Sequence, residues 1–186
     1  MTYFNVLVII IVEFHEIRFI MRVCFIGHRN INNTEDLIFL IENTALTLIN
    51  KGVTTFLFGS KSEFNDLSWE IVTKLKQTHP FIKRIYVRST FQHIDKFYEE
   101  YLLESYEETY FPPKLENAGR YSYVERNCEM IDQSDYCVFY YNENYVPPLK
   151  RQSKRITTSP LKRNSGTKIA YNYAKKKKKE IINLYK

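Results

Sequence analysis

Short apolar runs that end in glycine alternate along this chain with segments of helical period, and that alternation restricts the fold more than any other feature. "MRVCFIG" (21–27) reads as a buried strand closed by Gly27. In the segment that follows, 32–52, Thr34 is placed to cap a helix and Gly52 to sit just past its end. "VTTFLFG" (53–59) is a second strand closed by Gly59, and the helical pattern of 62–80 stops at Pro80. "KRIYVRS" (83–89) is a third strand. Strands that alternate with helices predict a parallel sheet covered on both faces. The expected class is therefore α/β, three layers with a mostly parallel central sheet and helices on both faces.

Beyond the third strand the pattern is less regular. Residues 93–111, "HIDKFYEEYLLESYEETYF", read as one helix rich in acid and tyrosine, which "PPKLENAG" then breaks. Residues 120–135 read as a helix that leads into the strand "YCVFYY" (136–141). A long polar loop over 142–164 precedes the helix "GTKIAYNYAKKKKK" and a last strand, "EIINLY". Loops of that length are usually functional or disordered.

In sheets of this kind ligands bind outside the carboxyl ends of the strands. Three of the five glycines fall there: Gly27 after the first strand, Gly59 after the second, and Gly166 at the start of the helix after the fourth. Glycine lets a ligand approach the backbone, and a helix start offers unpaired N–H groups. Ser165 and Thr167 flank Gly166 with hydroxyls, so "SGT" is a candidate phosphate cradle. A capped turn would look the same. His28 and Arg29 follow Gly27 directly, and an arginine there can pair with a phosphate through two hydrogen bonds.

The charge distribution favours an anionic partner near the C-terminal end. The formal net charge of +6 divides into +12 over residues 144–186 and −6 over residues 1–143. Loop cations at 150–163 would hang beside the proposed pocket, whereas the lysines at 175–179 suit a solvated helix end. Cys24, Cys128 and Cys137 show no CxxC spacing and read as reduced core thiols of a cytoplasmic protein. The four histidines show no ligand spacing, so no metal is expected. The leading run of residues 1–20 is too short in its apolar part to span a bilayer, and no basic residue precedes it. It reads as an extension to a domain that begins at Met21.

Several blocks carry a family resemblance: "CFIGHRN", "FLFGSKSEFNDLSWEIVTKLKQTHPFIKRIYV", "YVERNCEMIDQSDYCVFYYNENYVPP" and "SGTKIAYNYAKKK". In order and spacing, from Met21 to the C-terminus, they resemble the YpsA-like branch of the SLOG superfamily. These are Rossmann-like proteins related to the Smf/DprA and Lonely Guy proteins. The resemblance implies a pocket for a nucleotide or nucleotide-derived ligand, ADP-ribose-like molecules included, without fixing an activity. Lonely Guy enzymes cleave the base from a nucleoside monophosphate and carry an Arg-containing helix followed by a PGGxGTxxE loop. "ERNCEM" is similar to the first part, with Arg126 at the arginine and Glu125 before it, and "SGT" is similar to the end of the second. The leading Pro-Gly-Gly is absent and the acidic position is Ala170, which removes the obvious carboxylate; Glu63 and Glu125 are the remaining candidates.

The leading expectation is a binding protein for a small nucleotide-like anion, acting as a sensor or regulator in a stress, cell-division or phage-defence setting. Its site would comprise Gly27, His28, Arg29, Gly59, Ser60, Arg126, Asn127, Ser165, Gly166 and Thr167. An N-glycosidase or phosphoribohydrolase is the alternative, with Arg126, Glu125 and Glu63 as candidate catalytic residues. A nucleic-acid-binding protein, acting through 150–163 and 175–179, ranks third, because the aromatic residues cluster in the acidic middle rather than among the basic ones. No membrane partner is expected, and a homo-oligomer is left open.

Overall fold

In this computed structural model the described residues are 20–32, 34–59, 61–146 and 165–186. The leading run 1–19, Ser60 and the loop cations at 150–163 lie outside them. Strand β1 (Met21–Gly27) is fully buried from Val23 onward. Its alternate residues face opposite sides of the sheet. Helix α1 (Glu35–Asn50) starts where Thr34 Oγ1 accepts a hydrogen bond from the Leu37 amide, and Gly52 follows its end at φ 96°. That positive φ is why glycine stands there. Strand β2 (Val53–Phe58) leads to α2 (Glu63–Thr78), which Ser62 caps by accepting from the Asn65 amide.

Strand β3 (Lys83–Val87) is followed by α3 (Lys96–Leu103) and then by β4 (Glu108–Tyr110). The single helix expected over 93–111 is thus a two-turn helix and an edge strand. The Arg84 guanidinium explains the edge strand, because it grips Glu107 at 2.6 Å and 3.2 Å while the Arg84 and Glu107 backbones also pair. Burial works against the Glu107 charge, yet the Arg84 hydrogen bonds hold its carboxyl below the usual carboxylate range.

Two 3₁₀ turns, Pro113–Leu115 and Gly119–Tyr121, lead into α4 (Ser122–Asp132) and β5 (Tyr136–Tyr140). Helix α5 (Gly166–Lys176) and β6 (Glu180–Asn183) complete the chain. Because β4 exists, the helix that Gly166 opens follows the fifth strand rather than the fourth.

The six strands lie in the order β4-β3-β2-β1-β5-β6, and each neighbouring pair is parallel. The chain winds outward from β1 to β4 and then returns to place β5 on the other side of β1. Val23, Phe25, Phe56, Phe58 and Val138 pack against α1 and α2. Cys24, Ile26, Leu57, Cys137 and Phe139 pack against α4 and α5. Phe25 stacks on Phe58 with ring centres 5.7 Å apart, and burying each such ring contributes about 1.5–3 kcal/mol. This is a Rossmann-like three-layer fold, with all loops that follow strands at one end.

Candidate functional site

At the end of β1, the Gly27 carbonyl accepts a 2.9 Å hydrogen bond from the Thr167 hydroxyl. That bond ties the start of α5 to β1. A methyl group on Gly27 would lie 2.4 Å from the Phe64 ring, so the glycine lets the first turn of α2 press on the strand end. The Arg29 carbonyl accepts from the Glu63 amide, and the Glu63 carboxylate accepts from the Ile31 amide at 2.9 Å. Glu63 therefore closes the β1–α1 loop, while the Arg29 side chain is exposed.

His28 is almost wholly enclosed, at 1% exposure. Its Nε2 accepts from the Asn142 amide at 2.9 Å, which leaves the ring proton on Nδ1. The ring stacks on Tyr145 at 3.8 Å, and among the described residues neither Nδ1 nor the Tyr145 hydroxyl has a partner. Burial lowers the His28 pKa from its ordinary value, so the ring is neutral near pH 7.

Gly59 ends β2 under tighter constraint. Its amide donates to Asn65 Oδ1 and its carbonyl accepts from Arg126 Nη1. A methyl group there would lie 2.6 Å from the Val87 carbonyl oxygen and 2.9 Å from Arg126 Nη1. Glycine is required by the approach of β3 and of the arginine.

Arg126 is the unusual group of this rim. It projects from α4, is 2% exposed, and donates from Nε to Asn127 Oδ1 at 3.1 Å. The Tyr123 ring lies 5.9 Å from the guanidinium carbon. No acidic side chain lies within ion-pair distance of it among the described residues. Burial pushes its pKa down to about 10, with Tyr86 and Tyr123 acting the other way. It stays charged at pH 7. Burying a charge without a counter-ion costs several kcal/mol, and a bound anion would remove much of that cost. Glu125 is the adjacent residue on α4 and so lies on a different face from Arg126.

At α5, Ser165 Oγ accepts from the Lys168 amide and caps the helix, and the Thr167 hydroxyl proton is already given to Gly27. Among the described residues a methyl group on Gly166 would meet nothing within 4 Å. Ala170 is 1% exposed and packs in the core beside Ile26 and Phe139. The position that the resemblance aligns with an acid is therefore a packed apolar one.

The structure brings Gly27, His28, Gly59, Arg126, Asn127 and Thr167 to one end of the sheet, on the neighbouring ends of β1 and β2. The lysines at 175–179 lie at the opposite end of α5, roughly 16 Å away by helix rise. Two of them are committed there. Lys177 pairs with Asp132 at 3.4 Å, and Lys179 donates to the carbonyls of Asp132 and Ser134. Sequence reasoning missed Tyr145, Tyr86 and Tyr123. Only Tyr123 carried a signal, since three residues before Arg126 on a helix puts it on the same face.

Among the described residues no group of His, Cys, Asp or Glu side chains could hold a metal, and no helix is long and apolar enough to cross a membrane. No protein-family model matches the chain, and no curated protein matches it. Among solved structures, the chain is similar to DNA processing protein A from Helicobacter pylori, reported for its single-stranded DNA binding mode. The two share 17% sequence identity at a TM-score of 0.50, over 87% of this chain and 63% of the other. The likeness is one of fold, and this chain spans under two thirds of the length of that neighbour.

Proposed function

We propose that the chain binds a nucleotide or nucleotide-derived anion at the β1–β2 rim and works as a sensor or regulator, in line with the YpsA-like character of its sequence blocks. The observation that carries this reading is Arg126, a buried guanidinium with no acidic partner among the described residues. The Gly59 carbonyl and Asn127 Oδ1 fix two of its donors and so set the direction of the rest. An anion that meets it gains a charge-assisted hydrogen bond in a low-dielectric setting. Binding to the folded state alone must raise the melting point, by about 2.7 kcal/mol of stabilisation at one hundred times Kd. AMP, ADP, ADP-ribose and cyclic dinucleotides form the test panel. A rise with at least one supports the reading, and no rise with any at millimolar concentration overturns it.

A second reading, nucleic-acid binding, is favoured by the fold likeness to a protein that binds single-stranded DNA. Exposed rings at Phe91, Tyr121 and Tyr123 would then stack on bases. Binding of an oligonucleotide whose log Kd rises linearly with log salt would move the assignment there. An N-glycosidase reading would require release of free base from a nucleoside monophosphate, lost in Arg126→Met.

A further inference from the structure

Beside the Arg126 rim, at the ends of β3 and β4, an open cavity of about 370 Å³ is lined by Ser89, Phe91, Gln92, Phe111, Glu116 and Ser122 among others. None of the residues expected from sequence to bind a ligand lines it. We infer that this cavity holds the nucleoside end of a nucleotide whose phosphate meets Arg126. The inference rests on the nucleotide reading above and adds the direction in which the ligand lies.

Position supports it first. Ser122 and Arg126 stand four residues apart on α4 and so share one helix face. On the sheet side, Gly59 abuts the Val87 carbonyl, two residues before Ser89. Neighbouring strands are about 4.8 Å apart, so a phosphate at the β2 end and a ribose at the β3 end are one linkage apart. The nucleoside then extends outward over β3 and β4, away from the β1–β5 crevice beside His28.

The chemistry of the lining fits a neutral, partly flat group. Among the described residues no lysine, arginine or histidine lines the cavity, and the Glu116 carboxylate on its wall repels a phosphate. Glu116 accepts from Gln92 Nε2 at 2.6 Å and keeps other lone pairs for the hydroxyls of a sugar. Phe91 and Phe111 supply an aromatic lining suited to a base, with Ser89 and Ser122 as polar groups. The volume is in the range of small-molecule sites.

The Phe91 backbone adds an independent sign. It has φ 59°, a left-handed conformation rare for a bulky residue, and its ring is 70% exposed. Arg88 Nη1 holds this turn by donating to the carbonyls of Phe91 and Gln92 at 2.8 Å and 3.3 Å. A left-handed backbone held by the half-buried Arg88, presenting an exposed ring at the lip of a cavity, is the kind of local strain that accompanies ligand contacts.

The test is calorimetric titration of the full chain with inorganic phosphate and with the four common nucleoside 5′-monophosphates. At least one nucleotide is expected to bind tenfold or more tightly than phosphate. Ser122→Trp, which fills the cavity, and Phe91→Ala, which removes an exposed ring, should each erase most of that advantage. Phosphate affinity should stay within twofold in both variants. If Ser122→Trp fails to fold, Phe91→Ala decides alone. A nucleotide advantage that survives the folded variants overturns the inference and leaves the nucleotide reading standing, as does a wild type that binds every nucleotide no better than phosphate. A wild type that binds neither phosphate nor any nucleotide, with ADP, ADP-ribose and cyclic dinucleotides titrated as well, overturns both.

Discussion

Gly59 and Gly166 sit at the same end of the molecule and have opposite surroundings. Gly59 is walled in by the Val87 carbonyl and the Arg126 side chain, so an added methyl group has nowhere to go. At Gly166, the first residue of α5, an added methyl group would touch nothing among the described residues. The same residue type thus has two causes at one rim. On the β1–β2 side, glycine serves the approach of the protein's own chain. At α5 nothing among the described residues crowds it.

The largest effect that would break this comparison lies on the crowded side. Gly59→Ala should destabilise the fold by about 3 kcal/mol, because the obstructing Val87 oxygen is backbone and cannot swing away. Gly27→Ala should cost about 2 kcal/mol, since the buried Phe64 ring can yield only by repacking. Urea denaturation midpoints at constant slope measure both. If either substitution were neutral, the crowding would not be what selects glycine.

Arg126→Met comes next. It removes a buried, uncompensated charge but leaves the Gly59 carbonyl without its donor. These terms oppose each other, so stability should stay within about 1 kcal/mol of wild type. A loss of several kcal/mol would mean that the arginine is there to hold the rim together.

A smaller effect concerns His28. Its ring is buried neutral, with a pKa lowered from the ordinary 6.5 by desolvation, while a backbone contact with Asn142 acts the other way. Between the lowered folded value and 6.5 the unfolded chain binds more protons, so stability is full above 6.5 and falls as pH drops through that window. Protonation also removes the lone pair that accepts from the Asn142 amide. Denaturation midpoints at pH 7.5 and 5.5 should differ in that direction, and the difference should shrink in His28→Phe.

The smallest effect is on the open side. Gly166→Ala should raise stability by about 0.5 kcal/mol, because alanine favours the helix and loses less backbone freedom on folding. A marked loss would show that the space before α5 is not free to the fold.

How much of this was legible in the sequence depends on the range of the interaction that fixes each feature. Thr34 and Gly52 act within one helical turn of α1, and cap residues flanking a helical period located both ends of that helix. Gly27 and Gly59 were legible as strand ends, because apolar runs stop there. What presses on them was not, since Phe64 and Val87 arrive through the sheet and α2 rather than along the local chain. β4 was hidden because three residues carry no period, and the Arg84–Glu107 pair that docks it spans 23 positions. Arg126 was legible as a candidate from its place in an acid-rich helix, where it could face a ligand or pair with an acid, and from the family resemblance. Its burial without a carboxylate follows from tertiary packing. Tyr145 reached the His28 ring with no local pattern to announce it.

The account turns on whether the Arg126 guanidinium meets the ligand's anion. Melting temperatures of wild type and Arg126→Met, each with and without the tightest-binding nucleotide at saturating concentration, test this directly. The account predicts a clear rise for wild type and none for Arg126→Met, with both proteins folded and of similar stability unliganded. An equal rise in both would contradict it, because the anion would then be held elsewhere.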